Sequence, residues 1–399
     1  TNLDKHIYEL MTRLFPICRS ITGNGVRETL KILKSYINLK MHEIRSGTKV
    51  FDWIIPDEWN IYDAFVKDKN GKKIIDFKEN NLHLMGYSEP FHGILNLEEL
   101  EKHLHTLPDQ PELIPYVTSY YEKQWGFCIS ENHRKNLKEG DYEVKIDSTL
   151  EPGSLTYADL IIKGHSEEEI LFSTYICHPS LANNELSGPV VTTFLAKYIL
   201  EKGNNFYTYR FVFVPETIGA ITYLKYNLDE LKKNIIAGYV ITCIGDSGNF
   251  SYLQSRRENT LVDRATKHVL QNAGVEYKLY DYLARGSDER QYCAPGIDLP
   301  VGSLMRTKYG EYPEYHTSGD NLEFIKPREL ERSLEILKLC VEVLESNHIY
   351  KTKVKGEPQL GKRGLYPNTS TKKSGLKVRK MMNVLAYCDG YNDLLGIAE

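Results

Sequence analysis

Three short polar segments of this chain place histidine or carboxylate side chains after apolar runs. The first is 177–188, in which His178 follows an apolar run. The second is 212–219, where Glu216 follows Val-Phe-Val-Pro, and in the third, 314–320, His316 lies among small polar residues. Histidine and oxygen ligands can bind a metal ion, and a carboxylate beside metal-bound water can act as a general base.

Each segment taken alone has a simpler structural explanation. A loop histidine can be bonded to nearby backbone, and a glutamate before a helix can stabilise its first turn. Segments that follow three strands of one sheet favour a shared site, because ligands gather beyond the carboxyl ends of such strands. The sequence therefore predicts one site from His178, Glu216 and His316, in which burial raises the pKa of Glu216 toward neutrality.

Apolar strands that alternate with helices are expected to position this site. The predicted strands are 170–177, 209–214, 235–244, 276–282 and 299–305, and the predicted helices are 189–202, 218–226, 261–273 and 327–346. Residues 142–146 and 155–162 are predicted to pair with each other as strands. This alternation is typical of an α/β fold with a mainly parallel mixed sheet sandwiched by helices.

The regions outside this core differ from it in pattern. Residues 47–129 contain short β-like runs and an Asn-Gly hairpin signal, which predict a small β-rich inserted domain. The core is then a discontinuous α/β domain at 1–46 and 130–350. Residues 351–399 begin with a basic linker, and residues 351–380 include ten Lys and Arg residues and one acidic residue. Two short helices are predicted at 376–387 and 391–398.

Composition excludes several classes of protein. With 41% hydrophobic and 26% charged residues, the chain is neither collagen-like, nor a coiled coil, nor disordered throughout. A net charge of −4 provides no global basic field for nucleic acid. The seven cysteines are scattered without a CxxC pair, which favours a reducing compartment. The longest uncharged apolar stretch is about half of the ~20 residues that a membrane helix needs, so a cytoplasmic protein is expected.

The order of these motifs resembles a known group of enzymes. His178, Ala-Asn-Asn-Glu-Leu-Ser-Gly at 182–188, Pro-Glu-Thr-Ile-Gly at 215–219 and Tyr-His-Thr at 315–317 are similar to motifs of the co-catalytic zinc aminopeptidases of the phosphorylase/hydrolase-like fold. The resemblance is closer still to a bacterial aminopeptidase-like family with an inserted small domain and a C-terminal winged helix. Members of that family often accompany surface-polysaccharide biosynthesis genes. The resemblance implies that residues 351–399 form a linker and a partial winged helix-turn-helix.

The resemblance also implies roles for individual residues. His178 and His316 match histidine ligands, and Glu216 matches the general base that takes a proton from metal-bound water. Asn184 stands where the bridging aspartate is usual, and Glu185 stands where the pattern usually has asparagine.

Further positions depart from the two-zinc pattern. Thr217 stands at the place of a second-metal glutamate, and no acid is present at Thr242-Cys243, where another aspartate ligand is expected. These replacements argue against two zinc ions, since an amide oxygen is a poorer zinc ligand than a carboxylate. A single zinc ion is expected instead, because three protein ligands plus water are the usual catalytic arrangement. Its expected ligands are His178, His316 and an oxygen of Asn184 or Glu185.

Two further segments, 286–292 and 303–312, are expected to complete a substrate pocket. The arginines there would bind a carboxylate or a sugar acid bidentately, although each could instead form a surface salt bridge, and the aspartate would orient its neighbours. The expected substrate-binding residues are Arg285, Asp288, Arg290, Arg306, Tyr312 and Tyr315.

The sequence supports two hypotheses of function. In the first, the protein is a zinc-dependent aminopeptidase-like hydrolase that cleaves a terminal amide of a small peptide or of an aminoacyl or amino-sugar substrate, in surface-polysaccharide metabolism. In the second, it is a catalytically degenerate binding or scaffold protein that keeps the peptidase fold. The basic linker is expected to be solvated and not to bind nucleic acid, and the inserted domain could support a homo-oligomer.

Overall fold

The computed structural model describes residues 2–366 and 375–399. Residues 367–374, which belong to the predicted basic linker, lie outside the described residues. The helices, α1 to α11 in chain order, are Leu3–Leu14, Asn24–Lys34, Leu97–Glu101, Glu131–Lys135, Gly188–Lys202, Ile218–Asn234, Leu261–Asn272, Glu289–Tyr292, Pro327–Ser346, Gly375–Ala386 and Leu394–Ala398. The strands, β1 to β18, are Lys40–Arg45, Lys49–Val50, Trp53–Ile54, Glu58–Lys67, Lys73–Asp76, Phe91–Asn96, Leu104–His105, Phe127–Cys128, Asp141–Glu151, Ser154–Ile162, Glu169–Tyr175, Thr208–Val214, Ile235–Ile241, Phe250–Leu253, Tyr277–Tyr280, Val301–Met305, Ile349–Lys351 and Asp389–Asp393.

An eight-stranded sheet in the order β1-β10-β12-β11-β13-β16-β14-β15 forms the centre of the molecule. Strands β12, β11, β13 and β16 are parallel, and β10 and β14 flank them in antiparallel pairing. Alternate residues of β11 enter two apolar cores, Ile170 and Phe172 on one face and Leu171 and Tyr175 on the other. Helices α1, α2, α5, α7 and α9 contribute to the first core and α6 to the second. The predicted mixed α/β sheet between helices is confirmed.

A second, antiparallel sheet in the order β5-β4-β9-β6 forms the core of the small β-rich region. Strand β9 belongs to this sheet, whereas β10 pairs with β1 and β12 of the central sheet. The predicted pairing of 142–146 with 155–162 is therefore wrong, because β9 pairs with β4 and β6, whereas β10 pairs with β1 and β12. The domain division at 129/130 stays a prediction, and the small sheet extends beyond it to Glu151.

Parallel pairing brings the carboxyl ends of β11, β12 and β13 to one edge of the central sheet. Tyr175 pairs with Val214 at the ends of β11 and β12. The loops that follow contain residues other than glycine with positive φ, and so does the loop of His316. Such strained backbone is costly and is found mostly at functional sites. These residues are Ser180, Thr217, Cys243 and His316.

The C-terminal region packs against the central domain. Strand β18 pairs with β17, the Arg264 guanidinium donates to both carboxylate oxygens of Asp393 at 2.9 and 2.7 Å, and Leu395 is buried. The second predicted helix, 391–398, is shorter than expected. Asp393 ends β18 and caps α11 by accepting a hydrogen bond from the Gly396 N–H. Within the described part of the chain, no helix is both long and apolar enough to cross a membrane.

Candidate active site

The loops after β11 and β12 bring two of the predicted residues into contact. His178 Nε2 lies 3.8 Å from Glu216 Oε2. The ring of His316 lies 5.4 Å from that of His178, centroid to centroid. Tyr116 of the small β-rich region contacts both imidazoles, with centroid distances of 5.1 Å to His178 and 5.0 Å to His316. The three polar segments thus meet in one place, covered by an aromatic ring that the sequence did not identify.

The carboxylate of Glu185 holds the loop of His178. Glu185 is fully buried, and its Oε2 accepts hydrogen bonds from the backbone N–H groups of Cys177 and His178, the second at 2.5 Å. Its Oε1 accepts from Arg19 Nε at 2.7 Å. Arg19 is also buried and donates to the carbonyl oxygens of His178 and Leu14. Both oxygens of Glu185 are therefore engaged by protein donors, which favours a positioning role, and its assignment as a zinc ligand stays a prediction.

Glu185 also affects the imidazole of His178. Nδ1 of the ring lies 3.3 Å from Glu185 Oε2, while Nε2 is on the side of Glu216. A carboxylate at one ring nitrogen fixes the orientation of the imidazole and favours a lone pair on the other nitrogen. His178 Nε2 is therefore the atom available to a ligand.

The amide oxygen of Asn184 is engaged as well. It accepts a hydrogen bond from the Tyr175 hydroxyl, which also bonds to Thr242 Oγ1 at 2.5 Å. The backbone N–H groups of Asn183 and Asn184 donate to the two carboxylate oxygens of the buried Asp320 at 2.5 and 2.9 Å. The Tyr175 hydroxyl thus engages the Asn184 side-chain oxygen, while Asp320 holds the Asn184 backbone, and the assignment of Asn184 as a metal ligand stays a prediction.

Cys177, His178 and Glu185 are the group of side chains, among the described residues, that brings three possible ligand atoms within 4.8 Å of one another. Two members of this group also have partners within the protein. Burial raises the pKa of the Cys177 thiol well above its usual range, and its sulfur accepts the Glu216 N–H at 3.3 Å. The Glu185 carboxylate forms an ion pair with Arg19. The sulfur and both carboxylate oxygens are therefore engaged by protein groups, whereas His178 Nε2 lies on the side of Glu216.

His316 fits a metal ion better. Its Nε2 is buried and has no hydrogen-bond partner among the described residues. Burial, with a smaller contribution from nearby His178, lowers the pKa of His316 to about 3, so the imidazole is neutral near pH 7. Tyr315 stacks on the ring at 3.9 Å, and the Tyr116 N–H donates to the His316 carbonyl oxygen at 2.8 Å. A buried neutral imidazole without a partner is typical of a ligand position.

Glu216 has surroundings suited to proton transfer. Its Oε1 accepts a hydrogen bond from Ser287 Oγ at 2.9 Å. Burial raises the pKa of Glu216, opposed by His178 and by the Ser287 hydrogen bond. Asp288 is fully buried; its Oδ1 accepts the Thr217 N–H at 2.7 Å and its Oδ2 has no hydrogen-bond partner in the described structure. Asp288 thereby holds the residue after Glu216, which agrees with its predicted orienting role.

The three predicted arginines lie in different surroundings. Arg290 is exposed and donates from Nη2 to Thr217 Oγ1 at 2.8 Å, directly beside Glu216. Arg285 is exposed and lies over the ring of Tyr282 at 4.8 Å.

Arg306 is buried. Its guanidinium pairs with Glu329 and also donates to Ser333 Oγ at 3.2 Å and to the Gly248 carbonyl oxygen at 2.9 Å. These contacts engage the N–H donors of the Arg306 guanidinium inside the protein. They favour a structural role for Arg306, and its assignment as a substrate contact stays a prediction.

The two predicted tyrosines are placed beside His316. Tyr315 stacks on its ring, and Tyr312 is buried, 5.6 Å from the rings of both Tyr315 and Phe324. Tyr315 can thus contact a substrate, whereas Tyr312 supports the loop from behind.

Several residues of the site were missed by sequence reasoning. Each makes a contact with a residue distant in the chain, and they are Arg19, Tyr116, Tyr175, Ser287 and Asp320. Asp320 ends the 314–320 segment that the sequence singled out, but its pairing with the backbone of Asn183 depends on the tertiary structure.

Comparisons with known proteins agree with this architecture. The family described as domain of unknown function (DUF4910) matches residues 8–347, and a winged helix-turn-helix family matches 348–399. A Clostridium acetobutylicum protein, named provisionally as a polysaccharide biosynthesis protein with an aminopeptidase-like domain, is 50% identical over 394 residues, covering 98% of this chain and 90% of that protein.

Solved structures show the same fold. A Clostridium acetobutylicum protein described provisionally as a peptidase is 48% identical, with a TM-score of 0.93 over 100% of this chain and 92% of its own. BSAP, a zinc aminopeptidase from Bacillus subtilis, is 14% identical, with a TM-score of 0.61 over 86% and 95%. A peptidase M28 precursor from Shewanella amazonensis is 15% identical, with a TM-score of 0.62 over 90% and 95%. At these lower identities the likeness concerns the fold alone.

Proposed function

Since this chain belongs to the DUF4910 family, with an aminopeptidase-like fold and a C-terminal winged helix-turn-helix segment, we propose that it is a hydrolase that cleaves a terminal amide during surface-polysaccharide biosynthesis. The name of its Clostridium relative supports that biological setting. The observation that supports the chemistry is the meeting of Glu216 with His178 and His316.

Glu216 is the proposed general base. A catalytic base works best when its pKa lies near the operating pH, and burial raises the pKa of Glu216 in that direction. The Ser287 hydroxyl orients one carboxylate oxygen and leaves Oε2 on the side of His178. Glu216 would take a proton from the attacking water and later deliver it to the leaving amine.

His178 and His316 would hold one zinc ion through their Nε2 atoms. The unpartnered Nε2 of His316 and the orientation of His178 by Glu185 fit this assignment. When bound, zinc would supply Lewis-acid polarisation of the scissile carbonyl group.

Arg290 is the proposed contact for an anionic group of the substrate. It is exposed and anchored to Thr217, one residue from the base. A guanidinium can bind a carboxylate through two parallel hydrogen bonds. A small peptide, or an aminoacyl or amino-sugar conjugate with a free carboxylate, would meet this requirement. All seven cysteines are free, which supports a cytoplasmic setting.

A second candidate is a binding protein that keeps the fold without catalysis. It is favoured by the engagement of Glu185 with Arg19 and of Asn184 with Tyr175. Two histidines remain where a catalytic zinc site usually has three protein ligands.

Zinc analysis combined with two variants separates these candidates. The purified protein is assayed for bound zinc and for turnover of aminoacyl anilides and aminoacyl amino sugars. We expect Glu216→Gln to keep zinc and lose about 100-fold or more in kcat, and His316→Ala to lose zinc. Glu335→Gln, on α9, is the matched control and should retain both properties. Absence of zinc, together with equal turnover in Glu216→Gln and the unchanged protein, would favour the binding protein.

A further inference from the structure

A cavity of 530 Å³ lies between the small β-rich region and the loop of His316. One wall consists of residues 104–108, Gln110 and 115–117, and the other of residues 315–317. Two backbone hydrogen bonds join the walls, from the Tyr116 N–H to the His316 carbonyl oxygen and from the Ser318 N–H to the Ile114 carbonyl oxygen, both at 2.8 Å. The cavity therefore opens directly beside the proposed reaction centre, and its volume lies within the usual range for ligand pockets.

The lining of this cavity carries no formal charge near pH 7. It contains no Asp, Glu, Lys or Arg. Burial lowers the pKa of His105, which makes its imidazole neutral. An ionised group that entered would lose water without gaining a counter-charge, which is unfavourable. The part of a ligand that occupies this cavity is therefore uncharged.

The lining nevertheless offers unused polar atoms. The His105 ring and the Tyr315 hydroxyl have no hydrogen-bond partner among the described residues. Gln110 donates from Nε2 to the Pro313 carbonyl oxygen at 2.7 Å, which leaves its amide oxygen as a free acceptor. An aliphatic ligand would cover these atoms without satisfying them, at a cost in affinity. A ligand with several hydroxyl groups would satisfy them.

Aromatic rings supply the remaining contact surface. Tyr116 and Tyr315 line the cavity on opposite walls, and both contact the ring of His316. A sugar ring combines an apolar C–H face, which packs on an aromatic ring, with a rim of hydroxyl groups that pair with polar tips.

We propose that this cavity binds an uncharged sugar ring of the substrate and places its amide bond beside His316. The inserted region would then select the glycan part of the substrate, while Glu216 acts on the bond. This inference rests on the proposed function and names the substrate class of that site.

Ligand-observed NMR on the full chain without added zinc tests the proposal. The probes are methyl glucoside and methyl N-acetylglucosaminide, compared with the anionic methyl glucuronide and with leucinamide. We expect saturable binding of the neutral glycosides and weaker binding of both other probes. His105→Ala and Gln110→Ala should each weaken glycoside binding about 3- to 10-fold, as expected for one lost hydrogen bond.

His133→Ala is the matched control, since His133 is another half-buried histidine of the same region whose pKa is lowered by burial but which lines a different cleft. It should leave glycoside binding unchanged. His105→Gln keeps a polar group and should restore part of the affinity, which separates a direct contact from a folding defect.

The outcomes distinguish this inference from the proposed function because binding requires neither zinc nor Glu216. Glycoside binding that is retained in Glu216→Gln and weakened in His105→Ala supports the sugar site, even if no turnover is found. The proposal is overturned if no glycoside binds, if leucinamide binds in preference, or if His105→Ala and His133→Ala have equal effects.

Discussion

Replacement of Glu185 by alanine would remove the group that holds the first histidine of the site. The buried carboxylate accepts hydrogen bonds from Arg19 Nε at 2.7 Å and from the N–H groups of Cys177 and His178. The variant leaves a buried guanidinium without a counter-charge and two backbone donors without an acceptor. Both costs arise from one change, because all three donors converge on the same two oxygens.

The expected loss of stability follows from these contacts. Removal of one partner from a buried ion pair costs ~3–5 kcal/mol, and an unsatisfied buried donor adds ~1–3 kcal/mol. Since water and small backbone shifts compensate part of this, we expect Glu185→Ala to lose about 5 kcal/mol. For a chain of this length, the usual unfolding entropy per residue converts that loss into a fall in Tm of about 6 °C.

A double-mutant cycle measures the coupling between the two charges. Urea unfolding and calorimetry are compared for the unchanged protein, Glu185→Ala, Arg19→Met and the double variant. The double variant should be more stable than the sum of the single effects implies, by ~2 kcal/mol, because it leaves no unpaired buried charge. Glu43→Ala is the control, since Glu43 pairs with Arg27 at the surface and should cost less than ~1 kcal/mol.

Two results would refute the positioning role of Glu185. One is strict additivity in the cycle, which would mean that the charges do not stabilise each other. The other is a Glu185→Gln protein of unchanged stability that has lost bound zinc, which would identify Glu185 as a metal ligand as the sequence alone suggested.

Three further predictions follow from the site and its surroundings. In the pH profile of kcat/KM, the midpoint of the acidic limb should lie above the usual glutamate pKa, because activity is lost as pH falls through the raised pKa of Glu216. Ser287→Ala should move this midpoint to higher pH, since it removes a hydrogen bond that stabilises the Glu216 carboxylate. Arg306→Ala should cost ~3 kcal/mol in urea unfolding, because it removes the buried partner of Glu329 and a donor to Ser333 and leaves the more distant Arg332, at 3.9 Å, beside Glu329. KM should be unchanged, and a raised KM without loss of stability would support Arg306 as a substrate contact. The imidazole signals of His316 in zinc-free protein should not titrate in NMR at any pH above about 4, and a midpoint near the usual histidine value would contradict its burial.

The sequence predicted the meeting of the three polar segments for a simple physical reason. Each segment follows an apolar run, and parallel strands bring their carboxyl ends to one edge of a sheet. His178 and Glu216 follow neighbouring strands, and their side chains are in contact. Local pattern was enough here because strand direction alone decides which ends meet.

The sequence could not show which site residues are engaged by distant partners. Arg306 and Glu185 both have the chemistry of site residues, and each is engaged by an ion pair, with Glu329 and with Arg19 respectively. Arg19 lies 166 positions from Glu185 in the chain. A carboxylate has the same appearance in a sequence whether it faces an open site or a buried guanidinium.

The sequence by itself determined the alternation of strands and helices, the edge at which the site forms and the residue types that could act there. These depend on periodicity and chain direction, which are local properties. Only the tertiary structure decided that Glu185 serves the backbone of His178, that Tyr175 occupies the amide of Asn184 and that Tyr116 covers the histidines. Those assignments depend on which buried polar atoms meet, and their pairing is settled only when the elements pack together.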